Sequence, residues 1–162
     1  MMNGDALEAL VLRYASSLAL YARQWTTAPD DLVQTAFLKL VRLPKPPDHP
    51  GAWLYATVRN AAIDAQRRER RRQKYEARRA ERTPLWFEPS ELRDGLDAEE
   101  ATHALAQLTD DVREIVVAHL WGGLTFEQIA AMLGSSASTV YRRYAGGLQQ
   151  LRAKLEAPCP VN

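Results

Sequence analysis

Apolar residues recur at helical spacing along most of the chain, and no stretch alternates apolar and polar residues as a half-buried strand would. One amphipathic pattern runs from Leu7 to Trp25, a second begins at Pro29, and a third begins near Ala52. The proline-rich segment 44–51 separates the second pattern from the third, because proline cannot continue a helix. Together these patterns predict an all-α fold.

Helical spacing returns in the last third of the chain. A short helix is expected to end near Leu108, and Thr109 or Asp110 is expected to cap the helix that follows. The adjacent glycines Gly122 and Gly123 then predict a turn. The residues predicted to be buried on the helix between these points are Val112, Ile115, Val116 and Leu120.

The segment Leu124–Tyr144 has the pattern of a helix, a tight turn and a second helix. Thr125 and Gln128 have the spacing of a capping box, and Gly134 suits the left-handed residue that ends a helix. The second helix would be capped by Ser136 or Ser138, would bury Val140 and Tyr144, and would expose Tyr141, Arg142 and Arg143. This is the geometry of a helix that enters the DNA major groove, although similar hairpins also serve as plain packing units.

Charge is distributed unevenly along a chain whose formal net charge is only +1. Residues 67–82 include nine basic and three acidic residues, whereas residues 85–100 include six acidic and one basic. A basic stripe beside an acidic stretch indicates a surface that binds a polyanion and a neighbouring segment that is kept away from it. The alternative is that the basic run is simply a solvated helix face.

These patterns divide the chain into two all-helical modules, residues 5–82 and 99–156, joined by an acidic linker at 83–98. The linker contains two prolines, a glycine and clustered acidic residues, so we expect it to be flexible. Its apolar cluster Leu85-Trp86-Phe87 is either a docking anchor or a local cap on one module.

The sequence contains no pattern typical of a catalytic, metal-binding or membrane protein. Cys159 is the single cysteine, so no intramolecular disulfide can form and a reducing compartment is expected. The three histidines have no metal-ligand spacing, and no phosphate-binding glycine loop is present. No apolar run is long enough to span a membrane. We therefore expect a cytoplasmic protein that is not an enzyme and has no catalytic residue, metal or cofactor.

Three segments resemble a known family when they are taken in order. They are DDLVQTAFLKLVR at 30–42, AWLYATVRNAAIDAQRRERRR at 52–72, and LQQLRAKL at 148–155, which ends the helix-turn-helix. Together they resemble bacterial RNA polymerase sigma factors of the extracytoplasmic-function type, which keep only regions two and four. The resemblance implies a protein that binds core polymerase through the β′ clamp helices and the β flap, recognises promoter DNA, and is controlled by an anti-sigma factor, with no insertion into a membrane.

The resemblance also implies roles for particular residues. The second helix is similar to region 2.2, which binds the β′ clamp helices. Its expected polymerase-binding residues are Asp31, Leu32, Gln34, Phe37 and Leu38. We expect Asp31, Gln34 and Leu38 to be the more exposed members, since part of this apolar stripe must also form core.

The third helix is similar to regions 2.3 and 2.4, which melt the promoter and read the minus-ten element. The implied DNA-binding residues there are Trp53, Tyr55, Arg59, Asn60, Asp64, Arg67, Arg68 and Arg71. Aromatic, amide and basic groups together suit a base held out of its stack, although Trp53 and Tyr55 are equally well read as core residues. The family's base-selecting loop corresponds to segment 44–51, whose prolines prevent a base preference from being inferred.

The helix after Gly134 is similar to region 4.2, which reads the minus-thirty-five element. The residues expected to face DNA are Ser138, Thr139, Tyr141, Arg142 and Arg143. The sequence departs from the family just after them, because Ala145-Gly146-Gly147 occupies a place where relatives often carry another basic residue.

Two other functions remain open from the sequence. A helix-turn-helix regulator would bind duplex DNA without polymerase, and co-purification with core polymerase would distinguish it from a sigma factor. An interaction protein, such as an anti-sigma factor or an adaptor, would not bind DNA with the salt dependence that basic surfaces produce.

Overall fold

A computed structural model describes residues 4–76, here called the N-terminal half, and residues 103–155, here called the C-terminal half. The predicted linker 83–98, with Leu85-Trp86-Phe87, lies outside the described residues. The helices longer than one turn in these ranges are α1 (Gly4–Ala22), α2 (Pro29–Val41), α3 (Pro50–Glu76), α4 (Asp110–Leu120), α5 (Phe126–Leu133) and α6 (Ala137–Leu155). The predicted all-α fold is confirmed.

The N-terminal half is a bundle of three helices that pack on one another. Pro29 occupies the first turn of α2, where its missing N–H costs no hydrogen bond, and Asp30 and Asp31 lie at the positive end of the helix dipole. Helix α3 begins at Pro50, slightly before the predicted Ala52. Proline is again tolerated there, because the first turn of a helix does not use its backbone N–H groups. Its start lies against α1, where a Cβ atom at Gly51 would be 2.6 Å from the Tyr14 hydroxyl.

A buried arginine joins the start of the C-terminal half to α4. Arg113 is only 7% exposed, and its guanidinium caps the short helix at 103–106 and the turn after it. Its Nε donates to the Leu105 carbonyl at 2.8 Å, and Nη2 donates to the carbonyls of Ala106 and Leu108 at 2.9 and 2.6 Å. These hydrogen bonds to carbonyls at and after the helix end fix the segment on α4.

The predicted helix-turn-helix is present with its expected caps. The Thr125 backbone N–H donates to Gln128 Oε1 at 3.0 Å, and the Gln128 backbone N–H donates to Thr125 Oγ1 at 3.3 Å. Gly134 adopts φ 64°, as a left-handed helix end requires. Of the two candidate caps for α6, Ser136 is the one that accepts a backbone N–H, from Thr139 at 3.2 Å.

The two halves share one main core, which the sequence did not predict. Leu18, Tyr21 and Leu54 of the N-terminal half form a continuous buried cluster with residues of α4, α5 and α6. The C-terminal members of that cluster are Ile115, Val117, Ala118, Leu124, Ile129, Ala130 and Val140. Helix α1 contacts α4, and α3 contacts α5. Only a smaller cluster around Leu105, Leu108 and Val116 belongs to the C-terminal half alone.

The structure corrects one prediction of burial. Leu120 was expected to be buried but is 50% exposed at the last residue of α4. On α3, Ala65 is exposed, whereas Ala62 is fully buried. The apolar stripe of α3 therefore runs from Leu54 through Val58 to Ala62 at spacings of four.

Candidate polymerase and nucleic-acid interfaces

Helix α2 divides the five predicted polymerase-binding residues between its surface and its core. Asp31 and Gln34 are exposed, and Leu38 is 53% exposed despite its apolar side chain. Leu32 is half-buried and Phe37 is buried at 9% exposure. Residues three and four apart share one helix face. Asp31, Gln34 and Leu38 therefore form one continuous surface that contains both polar and apolar side chains.

The distal part of α3 carries an exposed, mainly basic face. Asn60, Asp64, Arg67, Arg68 and Arg71 are all exposed, and each lies three or four residues from another member of the set. Arg67 and Asp64 lie 3.9 Å apart, and Arg71 Nε donates to the Arg67 carbonyl at 3.3 Å. These contacts are local to the helix, so the face stays open to a partner.

The proximal part of α3 is covered by the C-terminal half. Tyr55 is fully buried, and its ring packs edge-on against Tyr21 with 4.8 Å between the ring centroids. A Cβ atom at Gly122 would lie 2.6 Å from the Tyr55 ring, so the absence of a side chain at 122 permits this contact. Trp53, two residues earlier, is half-buried. The structure thus places Tyr55 in the core rather than on a surface.

The Tyr55 hydroxyl is buried without a hydrogen-bond partner among the described residues. Ser17 lies beside it, but the Ser17 hydroxyl donates instead to the Tyr14 carbonyl at 3.1 Å. Burial raises the pKa of Tyr55 to about 12, since the phenolate would lose its hydration.

Arg59 is held by a carboxylate of the C-terminal half. Arg59 Nε donates to Glu114 Oε1 at 2.6 Å, and the Tyr21 hydroxyl donates to the same oxygen at 2.5 Å. Glu114 is 6% exposed, and the Arg59 side chain is 25% exposed. Burial, and then the Glu114 carboxylate, raise the pKa of Tyr21 well above its ordinary value. Arg59 therefore lies inside an interface between the halves.

Helix α6 presents its predicted DNA-facing residues outward. Tyr141 is 58% exposed, Ser138, Arg142 and Arg143 are also exposed, and Thr139 is half-buried. On the opposite face Val140 is buried and Tyr144 is half-buried, as predicted. This part of the candidate interface is assembled within the C-terminal half.

An aromatic cluster sets the position of α6 on its neighbours. His119 of α4 stacks on Phe126 with centroids 4.3 Å apart, and the edge of Tyr144 approaches His119 at 4.8 Å. The His119 ring Nδ1 lies 2.7 Å from the Leu124 carbonyl. Tyr141 in turn packs edge-on against Phe126 at 5.4 Å, so one member of the outward face is partly fixed by the scaffold.

Arg143 forms an ion pair that Arg142 does not share among the described residues. Arg143 Nη1 lies 3.4 Å from Asp111 Oδ2 at the start of α4. A hydrogen bond from the Thr109 hydroxyl, and then the charge of Arg143, lower the pKa of the Asp111 carboxyl. The pair holds the Arg143 side chain close to α4, whereas Arg142 projects from α6.

The two glycines of α6 lie in different surroundings. Gly146 faces open space, and a Cβ atom there would contact nothing within 4 Å. Gly147 is buried, and a Cβ atom there would lie 2.6 Å from Val112 Cγ1 and 3.2 Å from Val116 Cγ2. Gly147 therefore allows α6 to lie close to α4.

Within residues 4–76 and 103–155, no three His, Cys, Asp or Glu side chains are grouped so that they would hold a metal ion. No helix in these ranges is long and apolar enough to cross a membrane.

Family models match both halves of the chain. The model described as Sigma-70 region 2 matches residues 5–72, and that described as Sigma-70, region 4 matches residues 98–151. The RNA polymerase sigma factor CarQ of Myxococcus xanthus is 34% identical over 159 residues, covering 93% of this chain and 90% of CarQ. The chain belongs to the extracytoplasmic-function RNA polymerase sigma factors.

A further relative supports this assignment by its sequence, and a solved structure has the same fold. The ECF RNA polymerase sigma factor SigL of Mycobacterium tuberculosis is 31% identical over 156 residues, covering 94% of this sigma factor and 86% of SigL. The sigma factor RpoE from Bartonella quintana, solved in complex with the anti-sigma factor NepR, has the same fold, with a TM-score of 0.71 and 22% identity. That alignment covers 96% of this chain and 99% of RpoE.

The function expected from the sequence follows from this membership. The protein is a sigma factor that binds core RNA polymerase, directs it to specific promoters and assists promoter melting in transcription initiation. The regulator that acts without polymerase and the adaptor are thereby set aside.

The sequence analysis missed the residues that join the two halves. Glu114 and Tyr21 were given no role, and Gly122 was predicted only as part of a turn, although all three contact Arg59 or Tyr55 or their partners. The available signal was the pair Arg113-Glu114, which stands just before the apolar run IVVA on α4. Charged residues on a buried helix face require partners, and here Arg113 finds them within its own half and Glu114 in the other.

Proposed function

We propose that the exposed face of α2, formed by Asp31, Gln34 and Leu38, is the surface through which this sigma factor binds the β′ clamp helices of core polymerase. The observation that carries the proposal is Leu38, a large apolar side chain that is 53% exposed while its neighbour Phe37 is buried. A single exposed leucine is common on protein surfaces, but Leu38 lies in the segment that resembles region 2.2, beside the exposed Asp31 and Gln34. Phe37 and Leu32 then support this surface from below.

The proposal assigns DNA binding to two further surfaces. The distal face of α3, from Asn60 to Arg71, would hold the minus-ten region, with its arginines on the phosphates and Asn60 on a base edge. The outward face of α6, including Tyr141 and Arg142, would enter the major groove at the minus-thirty-five element. The exposure and spacing of these residues support both assignments.

The same proposal makes the protein a non-catalytic factor that acts in the cytoplasm with polymerase. It supplies contacts to DNA and polymerase, and the nucleotidyl transfer belongs to the polymerase. An anti-sigma factor is a further proposed partner. The support for it is the fold shared with RpoE, which was solved with one bound. Such a partner would be expected to compete with core polymerase for the α2 surface.

Replacing Leu38 tests the polymerase-binding surface. Leu38→Ala should weaken binding to core polymerase about tenfold if Leu38 is one of the few interface residues whose truncation costs more than about 1 kcal/mol. Leu12→Ala is the matched control, since Leu12 is 80% exposed on α1 and carries no assigned role. Affinity is measured by fluorescence anisotropy with labelled sigma factor, and the melting temperature of both variants should stay close to that of the wild type. Equal polymerase affinity for Leu38→Ala and Leu12→Ala would contradict the assignment.

A further inference from the structure

The contact between the two halves is centred on one carboxylate. Glu114 lies on α4 at 6% exposure, and the hydrogen bonds that its Oε1 accepts come from Tyr21 and Arg59 of the N-terminal half. A carboxylate buried without partners is strongly unfavourable. While the halves are in contact, Tyr21 and Arg59 of the N-terminal half therefore replace the water that this carboxylate would otherwise bind.

The surroundings of this carboxylate exclude water. Tyr21, Val117 and Ala118 are all fully buried. The Tyr21 hydroxyl also lies 3.7 Å from Met132 Sδ of α5, so two helices of the C-terminal half contact it. Gly122 adds a close approach to Tyr55 from the turn after α4. The contact is thus a packed interface with a polar centre.

This interface covers DNA-binding candidates. Arg59 and Tyr55 belong to the set assigned to the minus-ten element, and both are enclosed by the C-terminal half. The Arg59 Nε–H is engaged by the Glu114 carboxylate, so this donor is not available to a phosphate while the pair is formed. The arrangement seen here and DNA binding by the proximal part of α3 therefore exclude one another.

The interface is built so that it can open. The Tyr55 hydroxyl is buried without a partner among the described residues, and separation of the halves would give it water. Glu114 and Arg59 would likewise regain hydration, which offsets much of the loss of their ion pair. An apolar interface of the same size would gain no favourable hydration of polar groups when it separates. The polar centre of the interface therefore fixes one arrangement of the two halves, and it still allows the halves to separate.

We propose that Glu114, with Tyr21 and Arg59, forms an intramolecular latch that holds the C-terminal half over the proximal part of α3 and withholds Arg59 and Tyr55 from DNA. A partner that binds only the open form shifts the equilibrium toward it. The inference rests on the proposed function for the role of α3 in DNA binding, whereas the latch itself is tested without DNA.

Energy transfer between the halves measures the latch directly. Fluorophores are attached to Leu12→Cys on α1 and Gln150→Cys on α6 in a full chain carrying Cys159→Ser. Glu114→Gln weakens the charge pairing and Tyr21→Phe removes one hydrogen bond, so both should lower the transfer efficiency. Glu127→Gln is the matched control, since this exposed carboxylate lies in the same half. Circular dichroism establishes that each variant keeps its helices. Wild-type efficiency in both Glu114→Gln and Tyr21→Phe would overturn the latch.

A DNA-binding assay then measures whether the latch withholds Arg59 and Tyr55 from DNA. The probe is a labelled single-stranded oligodeoxynucleotide of random sequence. If the open form is roughly 1–10% populated, releasing it should tighten binding about 10- to 100-fold. Glu127→Gln removes an equal charge and should change affinity less than about twofold. A Glu114→Gln protein that opens but binds no more tightly would overturn the withholding of Arg59 and Tyr55.

A double variant separates this result from the proposed function. Adding Arg59→Ala to Glu114→Gln should remove much of the gained affinity if Arg59 contacts DNA in the open form. If the gained affinity persists, Arg59 does not contact DNA, and the proposal that the latch withholds Arg59 fails with that assignment. The energy-transfer result still decides whether the two halves are latched.

Discussion

The two candidate DNA surfaces differ in how much of each is free. On α6 the arginines and Tyr141 are exposed even though Arg143 pairs with Asp111 and Tyr141 contacts Phe126, and the opposite face packs on α4 and α5. On α3 the distal residues from Asn60 to Arg71 are exposed, whereas Tyr55 and Arg59 are enclosed by the other half. The α6 surface is therefore complete within the C-terminal half, whereas the α3 surface depends on where the C-terminal half lies.

The difference has a packing cause. Helix α6 is at the edge of its half, so a single apolar stripe is enough to seat it. The proximal part of α3 contacts α1, α2 and α5, so nearly every direction around it is occupied. A helix packed on several sides has little surface left for DNA until one neighbour moves away.

The α6 surface should depend most strongly on Gly147. Gly147→Ala should destabilise the protein by about 1–3 kcal/mol, because its Cβ atom would overlap Val112 and Val116. Gly146→Ala is the matched control and should stabilise by up to about 1 kcal/mol, since it faces open space and alanine favours a helix. Urea unfolding measures both. Equal effects of the two substitutions would show that α6 does not rely on this close approach.

Gly146→Ala also tests whether the bare surface beside Arg142 matters for function. Gly146 lines a shallow hollow with Arg142 and Arg152. We expect run-off transcription with core polymerase to be unchanged or raised, because the glycine is tolerated rather than required. A loss of transcription by a more stable Gly146→Ala protein would show that DNA or polymerase approaches α6 closely at this point.

The neighbouring arginines of α6 should differ in their contribution to duplex binding. Arg142→Ala should weaken binding to a selected promoter duplex by about 1–3 kcal/mol if the side chain contacts a base. Arg143→Ala should cost less, because Asp111 already holds that guanidinium at 3.4 Å. Electrophoretic mobility shifts with specific and scrambled duplexes give both affinity and sequence preference. A larger and more sequence-specific loss for Arg143→Ala would reverse the assignment.

Alkaline pH should weaken the covered region of α3. An exposed phenol ionises near 10.0, but burial raises the pKa of Tyr55 to about 12. The raised pKa stabilises the protein fully below pH about 10, and this stabilisation is lost as pH rises toward 12, by about 1.4 kcal/mol per pH unit. Urea unfolding between pH 9 and 11 should show the loss, and Tyr55→Phe should reduce it. An identical pH dependence in Tyr55→Phe would contradict the buried state of this phenol.

The smallest effect is expected at the distal arginines of α3, which are free in either arrangement of the halves. Neutralising Arg67, Arg68 or Arg71 should each reduce the slope of log affinity against log salt for duplex DNA by roughly 0.9. The reduction should be the same in the wild type and in Glu114→Gln, because the latch does not cover these residues. A reduction seen only in Glu114→Gln would extend the covered surface beyond Arg59.

Local features of this protein were predictable because they depend on residues close in sequence. The Thr125–Gln128 capping box, the left-handed Gly134 and the outward Arg142 follow from hydrogen bonds and spacings within one or two turns. The exposure of Gln34 and Leu38 beside a buried Phe37 follows from the same helical period. The all-α fold and the order of the family motifs were therefore determined by the sequence alone.

Contacts between distant residues were decided only by the tertiary structure. Glu114 is separated by 93 residues from Tyr21 and by 55 residues from Arg59, and no local pattern indicates which partners a charged residue on an apolar helix will find. Gly146 and Gly147 are equivalent in sequence, yet only one of them touches α4. Helical periodicity states which face of a helix is apolar, but what covers that face depends on the packing of every other element. For that reason the sequence identified the DNA-binding candidates, and only the packing of the two halves decided that Tyr55 and Arg59 are enclosed.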